Sequence, residues 1–358
     1  MKMRIVLQGG DNMLGRAIQL TLPYQTPGDE NITDSQTAQD YLDDILPHPD
    51  IATIRELNRD GSYLWGDLPF DLQEDVRIIN LEAAPTLSIY NSDIPNKSIH
   101  YHVNIQNLPG LFSRFTRPYV LGLANNHSMD MGRAAFISET LPLLSSTVGI
   151  GVNSISAHSP QVIGNIAIFA FGAECAGVPP DWQATPTTPG KAYLPPIVNE
   201  TNVNLAFQII HSASQSVKDE CIVVSIHWGP NWAQQNDGQI FRKMLAHRLI
   251  DEAGVDIIHG HSSHHIRGIE IYKGKLILYG AGDFVNDYEQ IPSDYNSAGA
   301  LYVIDLDSVS HNVDALQLIP FEMRNLRCTI IADPVQIKSV IGFINTQSIR
   351  DSENALIL

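Results

Sequence analysis

Short apolar runs recur along this chain, and each is closed by a cluster of Asp, Glu, Asn or His. Met3 to Leu7 leads into Gly10-Asp11, Val76 to Ile79 into Asn80-Leu81-Glu82, and Tyr119 to Ala124 into Asn125-Asn126-His127. Ile222 to Ile226 leads into His227-Trp228-Gly229, and Val255 to Ile258 into Gly260-His261-Ser262-Ser263-His264-His265. Apolar runs this short, bounded by turn formers, predict buried strands. Between them, Leu14 to Leu22, Asn104 to Phe115 and Arg133 to Leu144 have helical spacing, while Thr37 to Leu46 and Ile51 to Asn58 read as helical or turn-rich. Asn202 to Val217 and Gln239 to Ala253 are the clearest amphipathic helices. From Lys275 onward the pattern turns β-rich, over Leu276 to Tyr279, Leu301 to Leu306 and Val313 to Ile319, before a closing helix at Val335 to Asn345 and a tail at Ser348 to Leu358. Strand–helix alternation with a β-rich end predicts an α/β fold, two sheets face to face with helices outside.

Two segments interrupt the plan. Gly172 to Pro196 is too rich in proline for a strand or helix interior. It is expected to be a long loop that brings Trp182 over the substrate. Tyr24 to Asp34 and Pro47 to Asp50 read as polar decoration.

Composition narrows the function. A chain of 358 residues with 44% hydrophobic content can bury a sizeable core. The strand-end clusters run from residue 11 to 264, so a single catalytic domain over 1–358 is expected, with a helical tail from about 333. The net charge of −17 argues against nucleic-acid binding, and it requires a metal or a local cation for any anionic substrate. Cys175, Cys221 and Cys328 are too widely spaced for a disulfide framework or a zinc knuckle. No apolar run is long enough to span a membrane, and the first strand follows the N-terminus at once; both favour the cytoplasm.

The strand-end clusters carry the candidate chemistry. Strands of an α/β sheet deliver their loops to one edge. Five such loops would bring carboxylate, amide and imidazole groups together, the ligand types of a hydrolytic metal site. Alone, each motif has a plain structural explanation, since a strand-end Asp or Asn often caps a helix or turn. His261 and His264, on one tight loop, are the strongest pair. Arg16, in the first turn after Asp11, can pair with an anionic substrate group or orient Asp11 or Glu82. Trp228 and Trp232 form a pocket wall or a core lid, with the wall favoured.

The order Gly-Asp, Asn-x-Glu, Asn-Asn-His, His-Trp-Gly, Gly-His-x-x-His resembles the CapA family of poly-γ-glutamate and capsule biosynthesis proteins, within the calcineurin-like metallophosphatase superfamily. The resemblance runs from about residue 3 to about residue 305. Its most specific pieces are Gly10 to Arg16, Asn125 to Gly132, and Gly260 to Glu270 running into Lys273 to Tyr279. It implies a four-layer α-β-β-α sandwich of the metallophosphatase type. It also implies a divalent metal (Mn, Zn or Fe) as one ion or two, held by Asp11, Glu82, Asn126, His227, His261 and His264. Asp11 and His127 would be catalytic, His127 as general acid. His265 would support a ligand or act as an extra acid/base.

Three positions depart from the phosphatase pattern. Met13 stands where a His is usual, the last two histidines are separated by two residues instead of one, and Gly282-Asp283-Phe284 adds a carboxylate. The implied activity is metal-dependent hydrolysis of a phosphoester or a γ-glutamyl or peptide-type amide, on a small-molecule or peptide substrate that is anionic. Two alternatives stay open: a metal-independent acid/base epimerase, and a non-catalytic component of polyglutamate or capsule synthesis.

Overall fold

The structure is a computed structural model that describes residues 2–28, 37–46, 48–89, 97, 99–232, 238–289, 298–338 and 340. Two mixed sheets dominate it. In the first, Lys2–Asn12 lies beside Val76–Leu81, followed outward by Tyr119–Gly122 and Thr147–Val148, all parallel. On its other side it pairs antiparallel with Ala298–Asp307, which continues into Val313–Met323 and Cys328–Ile330. The second sheet runs Tyr193–Leu194, Ile166–Ala173, Cys221–His227, Ile257–His261, Lys275–Leu278, Ile269–Tyr272.

Strand alternation sorts side chains into three cores. Ile5, Leu7, Ile78 and Val120 of the first sheet meet Ile168, Val223, Ile257 and Leu276 of the second, so the sheets pack face to face. The opposite face of the first sheet, with Val6, Ile79 and Leu121, is covered by Leu14, Ile18, Leu42 and Leu108. The outer face of the second sheet, with Phe169, Ile222, Val224 and Ile258, is covered by the helices Glu200–Ser214 and Gln239–Ala253 through Val203, Phe207, Leu245 and Leu249. The result is the expected four layers, α-β-β-α. Among the described residues no helix is long and apolar enough to cross a membrane.

Several elements differ from the sequence pattern. Ile166–Ala173, fully buried and central to the second sheet, lacks the strand-end polar cluster that marks the other strands. The proline-rich segment is not strand-free: Gly190–Lys191 and Tyr193–Leu194 are short strands, the latter parallel to Ile166–Ala173. The prolines flank these strands and leave their interiors intact. Arg133 to Leu144 is no single helix but three short turns, Gly132–Ala135, Phe136–Thr140 and Leu141–Ser146. Leu14 to Leu22 contributes only Ala17–Thr21, and Asn104 to Phe115 only Ile105–Asn107 and Leu108–Leu111, the last with Pro109 in its first turn. Of the closing helix, 334–338 is helical. The rest of Val335 to Asn345 beyond residue 340, the tail Ser348 to Leu358 and much of Tyr24 to Asp34 lie outside the described residues.

Candidate metal centre

Three parallel strands of the first sheet, Lys2–Asn12, Val76–Leu81 and Tyr119–Gly122, and two of the second, Cys221–His227 and Ile257–His261, carry the candidate residues at their ends. Asp11 lies at the end of Lys2–Asn12, opposite Asn80 on one side and Asp283 on the other. Gly10 makes the approach possible, because a Cβ there would lie 2.4 Å from the Gly282 carbonyl oxygen and 3.2 Å from His261 Cβ. The buried Asp11 carboxylate accepts from Ser262 N–H at 3.0 Å and from Asn80 Nδ2 at 2.8 Å. Asn80 in turn accepts from Asn125 Nδ2 at 3.0 Å, and Asn125 Oδ1 receives the N–H groups of His127 and Ser128. Asn125 therefore ties its own loop to that of Asn80, and Asn80 ties both to Asp11, a role the sequence hides beside the neighbouring Asn126.

Two groups of ligand-type atoms share Asp11. In one, His227 Nδ1 and His261 Nδ1 lie 3.6 and 3.7 Å from Asp11 Oδ1, with His227 Nε2 3.7 Å from Glu82 Oε1. In the other, His264 Nδ1 lies 4.0 Å from Asp11 Oδ2 and 2.8 Å from Asp283 Oδ1. Asp283 is thus a full member of the cluster, a position the sequence marks only as an added carboxylate. Asn286 Nδ2 holds its second oxygen at 2.9 Å. Met13 turns into the outer core, so that position contributes packing and no ligand.

The cluster is buried, and its electrostatics follow from that. Asp11 and Glu82 share a hydrogen bond. Burial above all raises Asp11 from 3.8 to about 6, and burial with the neighbouring Asp11 carboxyl pushes Glu82 well above its ordinary value. Burial holds His227 and His261 well below the usual imidazole range. Burial would lower His264 too, but Asp283 outweighs it and raises that imidazole.

Three ligand-type atoms of the candidate residues are buried without a hydrogen-bond partner: Glu82 Oε2 and His227 Nε2, whose side chains meet in the cluster, and Asn126 Oδ1, whose side chain packs beside Gly177. Buried polar atoms of this kind are costly unless something satisfies them. All three carry lone pairs, and a divalent cation is what satisfies lone pairs without a proton. The donor set of carboxylate, amide oxygen and imidazole suits Zn, Mn or Fe. The residues present therefore fit a metal.

His127 sits at the rim of this cluster. Its Nδ1 is 2.6 Å from Asp130 Oδ2, its Nε2 is 3.8 Å from Glu82 Oε1, and the Tyr101 ring meets it edge-on with centroids 4.5 Å apart. Burial, then Lys97, pushes it down to about 3. The imidazole is thus neutral at pH 7, with Nδ1–H on Asp130 and Nε2 bare.

The remaining candidates are placed differently from the sequence expectation. Arg16 does not face the cluster and pairs with neither Asp11 nor Glu82. Its guanidinium closes on Asp287, with both side chains 1% exposed, among the rings of Tyr41, Tyr101 and Tyr288. It cannot anchor a substrate anion. Trp228 is a core lid: it follows His227 on the strand and so points to the outer face, stacked on Tyr279 with Nε1 donating to the Tyr279 carbonyl at 3.0 Å. Trp232 is the tryptophan that meets the cluster, 5.1 Å from the His264 ring centroid. Trp182 is buried, its ring under Lys191 Nζ at 4.1 Å and Lys97 Nζ at 5.2 Å. Lys191 Nζ donates to the Asn125 carbonyl and Lys97 Nζ to that of Asn126, so the proline-rich segment does reach the ligand loop. His265 is buried, but the groups converging on Asp11 among the described residues take in His261 and His264 without it.

A four-layer α/β protein with a buried carboxylate–imidazole cluster at the strand ends is the class that fold and site define. Residues 6–288 match the family model "Bacterial capsule synthesis protein PGA_cap", and the chain belongs to that family. It is 34% identical, over 90% of its length and 85% of the relative's, to a probable polyglutamine synthesis accessory protein of Mycobacterium tuberculosis. It is 27% identical, over 74% of its length and 67% of the relative's, to the PGA biosynthesis protein CapA of Bacillus subtilis. Among solved structures, a phosphatase from Mycoplasma pneumoniae aligns over 94% of this chain and 97% of its own, with a TM-score of 0.45 and 11% identity.

Proposed function

We propose that this chain is a metal-dependent hydrolase whose substrate carries a phosphoester or a γ-glutamyl-type amide. The observation that carries it is the trio of unpartnered buried atoms, Glu82 Oε2, Asn126 Oδ1 and His227 Nε2. Asp11, Glu82, Asn126, His227 and His261 would hold one ion. Asp11, His264 and Asp283 could take a second. A divalent cation bound there would acidify water and polarise the scissile bond.

The protein's own groups do the rest. Asp130 fixes His127 so that bare Nε2 faces the Glu82 side of the cluster. His127 takes a proton there and returns it to the leaving group. Trp232 walls the His264 side. Lys97, 13% exposed beside the ligand loop, pairs with Asp130 at 2.6 Å and so neutralises the carboxylate that holds His127.

A second reading, a non-catalytic part of polyglutamate synthesis, is favoured by the relative described as an accessory protein. The test is hydrolysis of a generic phosphodiester and of a γ-glutamyl peptide by Mn²⁺- and Zn²⁺-loaded protein, with His127→Ala as control. Turnover that is lost in the variant supports the hydrolase. Metal-loaded protein that turns over neither substrate yet binds a polyglutamate chain supports the accessory role.

A further inference from the structure

The two adjacent strands of the second sheet carry a polar track on one face. Cys221–His227 and Ile257–His261 run parallel with Ser225 opposite His259 and His227 opposite His261. All four residues are two apart on their strands and so share a face. Deeper on that face, Val223 and Ile257 are apolar and fill the core between the sheets. The four polar side chains are buried, and they are joined by hydrogen bonds from end to end.

We propose that His259 and Ser225 are positioning residues that decide which nitrogens of His261 and His227 face the ligand cluster. The direction of every hydrogen bond follows from the first. His259 Nε2 lies 2.6 Å from the Gly9 carbonyl oxygen. A carbonyl only accepts, so Nε2 carries the proton and, in the neutral ring, Nδ1 is bare. Ser225 Oγ, 3.1 Å from that Nδ1, must donate to it. The hydroxyl has one proton, so toward His261 Nε2, at 2.9 Å, it accepts. His261 is therefore the Nε2–H tautomer with Nδ1 bare. His227 Nδ1, 2.9 Å from His261 Nδ1, supplies the proton in that contact. His227 Nε2 is left bare, and this is the atom that has no partner and lies 3.7 Å from Glu82 Oε1.

The direction set at one backbone carbonyl thus propagates through three imidazoles and a hydroxyl. It delivers one free lone pair, His227 Nε2, to the Asp11–Glu82 cluster, because the lone pair of His261 Nδ1 accepts the His227 Nδ1–H. The purpose of the relay rests on the metal reading, but its existence does not. Groups that orient a ligand imidazole from behind fix its tautomer and tune its affinity, and losing one typically costs about 10–100-fold in metal binding.

The test is histidine ¹⁵N and ¹³C NMR of the metal-free protein at neutral pH, which reads each tautomer directly. Expected are Nε2–H for His259 and His261 and Nδ1–H for His227. Ser225→Ala should release His261 into the Nδ1–H form and weaken Mn²⁺ or Zn²⁺ binding by about 10–100-fold. Ser225→Thr, which keeps the hydroxyl, should restore both. His261 found as Nδ1–H in the wild type overturns the proposal, as does a Ser225→Ala protein with unchanged His261 tautomer. The wild-type spectrum is decisive even where Ser225→Ala does not fold. A wild type with these tautomers that binds no metal keeps the relay and sinks the metal reading instead.

Discussion

Asp11 and Glu82 are two carboxyls buried in contact, an arrangement that persists only with a shared proton or a cation between them. In the proposed hydrolase His127, fixed by Asp130, is the group whose proton would move during turnover. His127→Ala should therefore lower kcat by about 10²–10⁴-fold with metal content unchanged; a parallel loss of metal would make it a ligand. Arg16→Ala should act on stability and not on KM. It leaves Asp287 buried without its partner, a change that costs about 3–5 kcal/mol in urea unfolding. A selective rise in KM for anionic substrates would reinstate the anchor role. Arg16 also marks where the sequence stops informing. Its position five residues after Asp11 is legible, but its partner lies 271 residues away and the direction of its side chain is set by three tyrosines from distant segments. That Asp11, Glu82, His227, His261 and His264 come together was legible because they lie at the ends of apolar runs or in the loops that follow them. Trp228 was misjudged, although strand alternation already places it opposite His227.

At the scale of elements, the approach of the first strand to the last histidine loop depends on Gly10. Gly10→Ala would drive a methyl against the Gly282 carbonyl, which is backbone and cannot swing aside. Destabilisation of about 1–3 kcal/mol is expected, with weaker metal binding because Asp11 must shift. Thermal unfolding and metal titration of the variant check it, and a variant indistinguishable from wild type would mean the strand has slack the structure does not show. The long amphipathic helices and most of the strands were legible from apolar spacing. Ile166–Ala173 was not, since nothing but its burial distinguishes it. The proline-rich segment misled in the other direction: its two short strands need only two residues each and fit between prolines. Its contact with the ligand loop runs through Lys191, whose amine is fully buried on the Asn125 carbonyl; burial, then Lys97, holds it well below the ordinary lysine range. No sequence pattern announces such a lysine.

At the scale of the whole molecule, fold and chemistry meet in the linkage between protons and metal. The raised Asp11 carboxyl, from 3.8 to about 6, binds its proton more tightly folded than unfolded. Its contribution to stability is therefore present at low pH and lost as pH rises through that window. The buried histidines work in the opposite sense, because His227, His259 and His261 resist the protonation they would undergo when unfolded, which destabilises the fold as pH falls. The metal-free stability curve mixes the two. The gain in Tm on adding metal reports the protons that a cation must displace, from the carboxyl pair and from the raised His264. That gain should be larger at pH 7.5 than at pH 5.5; equal gains would mean that no proton is displaced. The central claim is the metal itself, and the most direct measurement is elemental analysis of exhaustively dialysed, Mn²⁺- or Zn²⁺-loaded protein, wild type beside His227→Ala, with circular dichroism to show that both are folded. The account predicts stoichiometric metal in the wild type and its loss in the variant. A folded wild type that retains no metal, or a variant that retains as much, would contradict it.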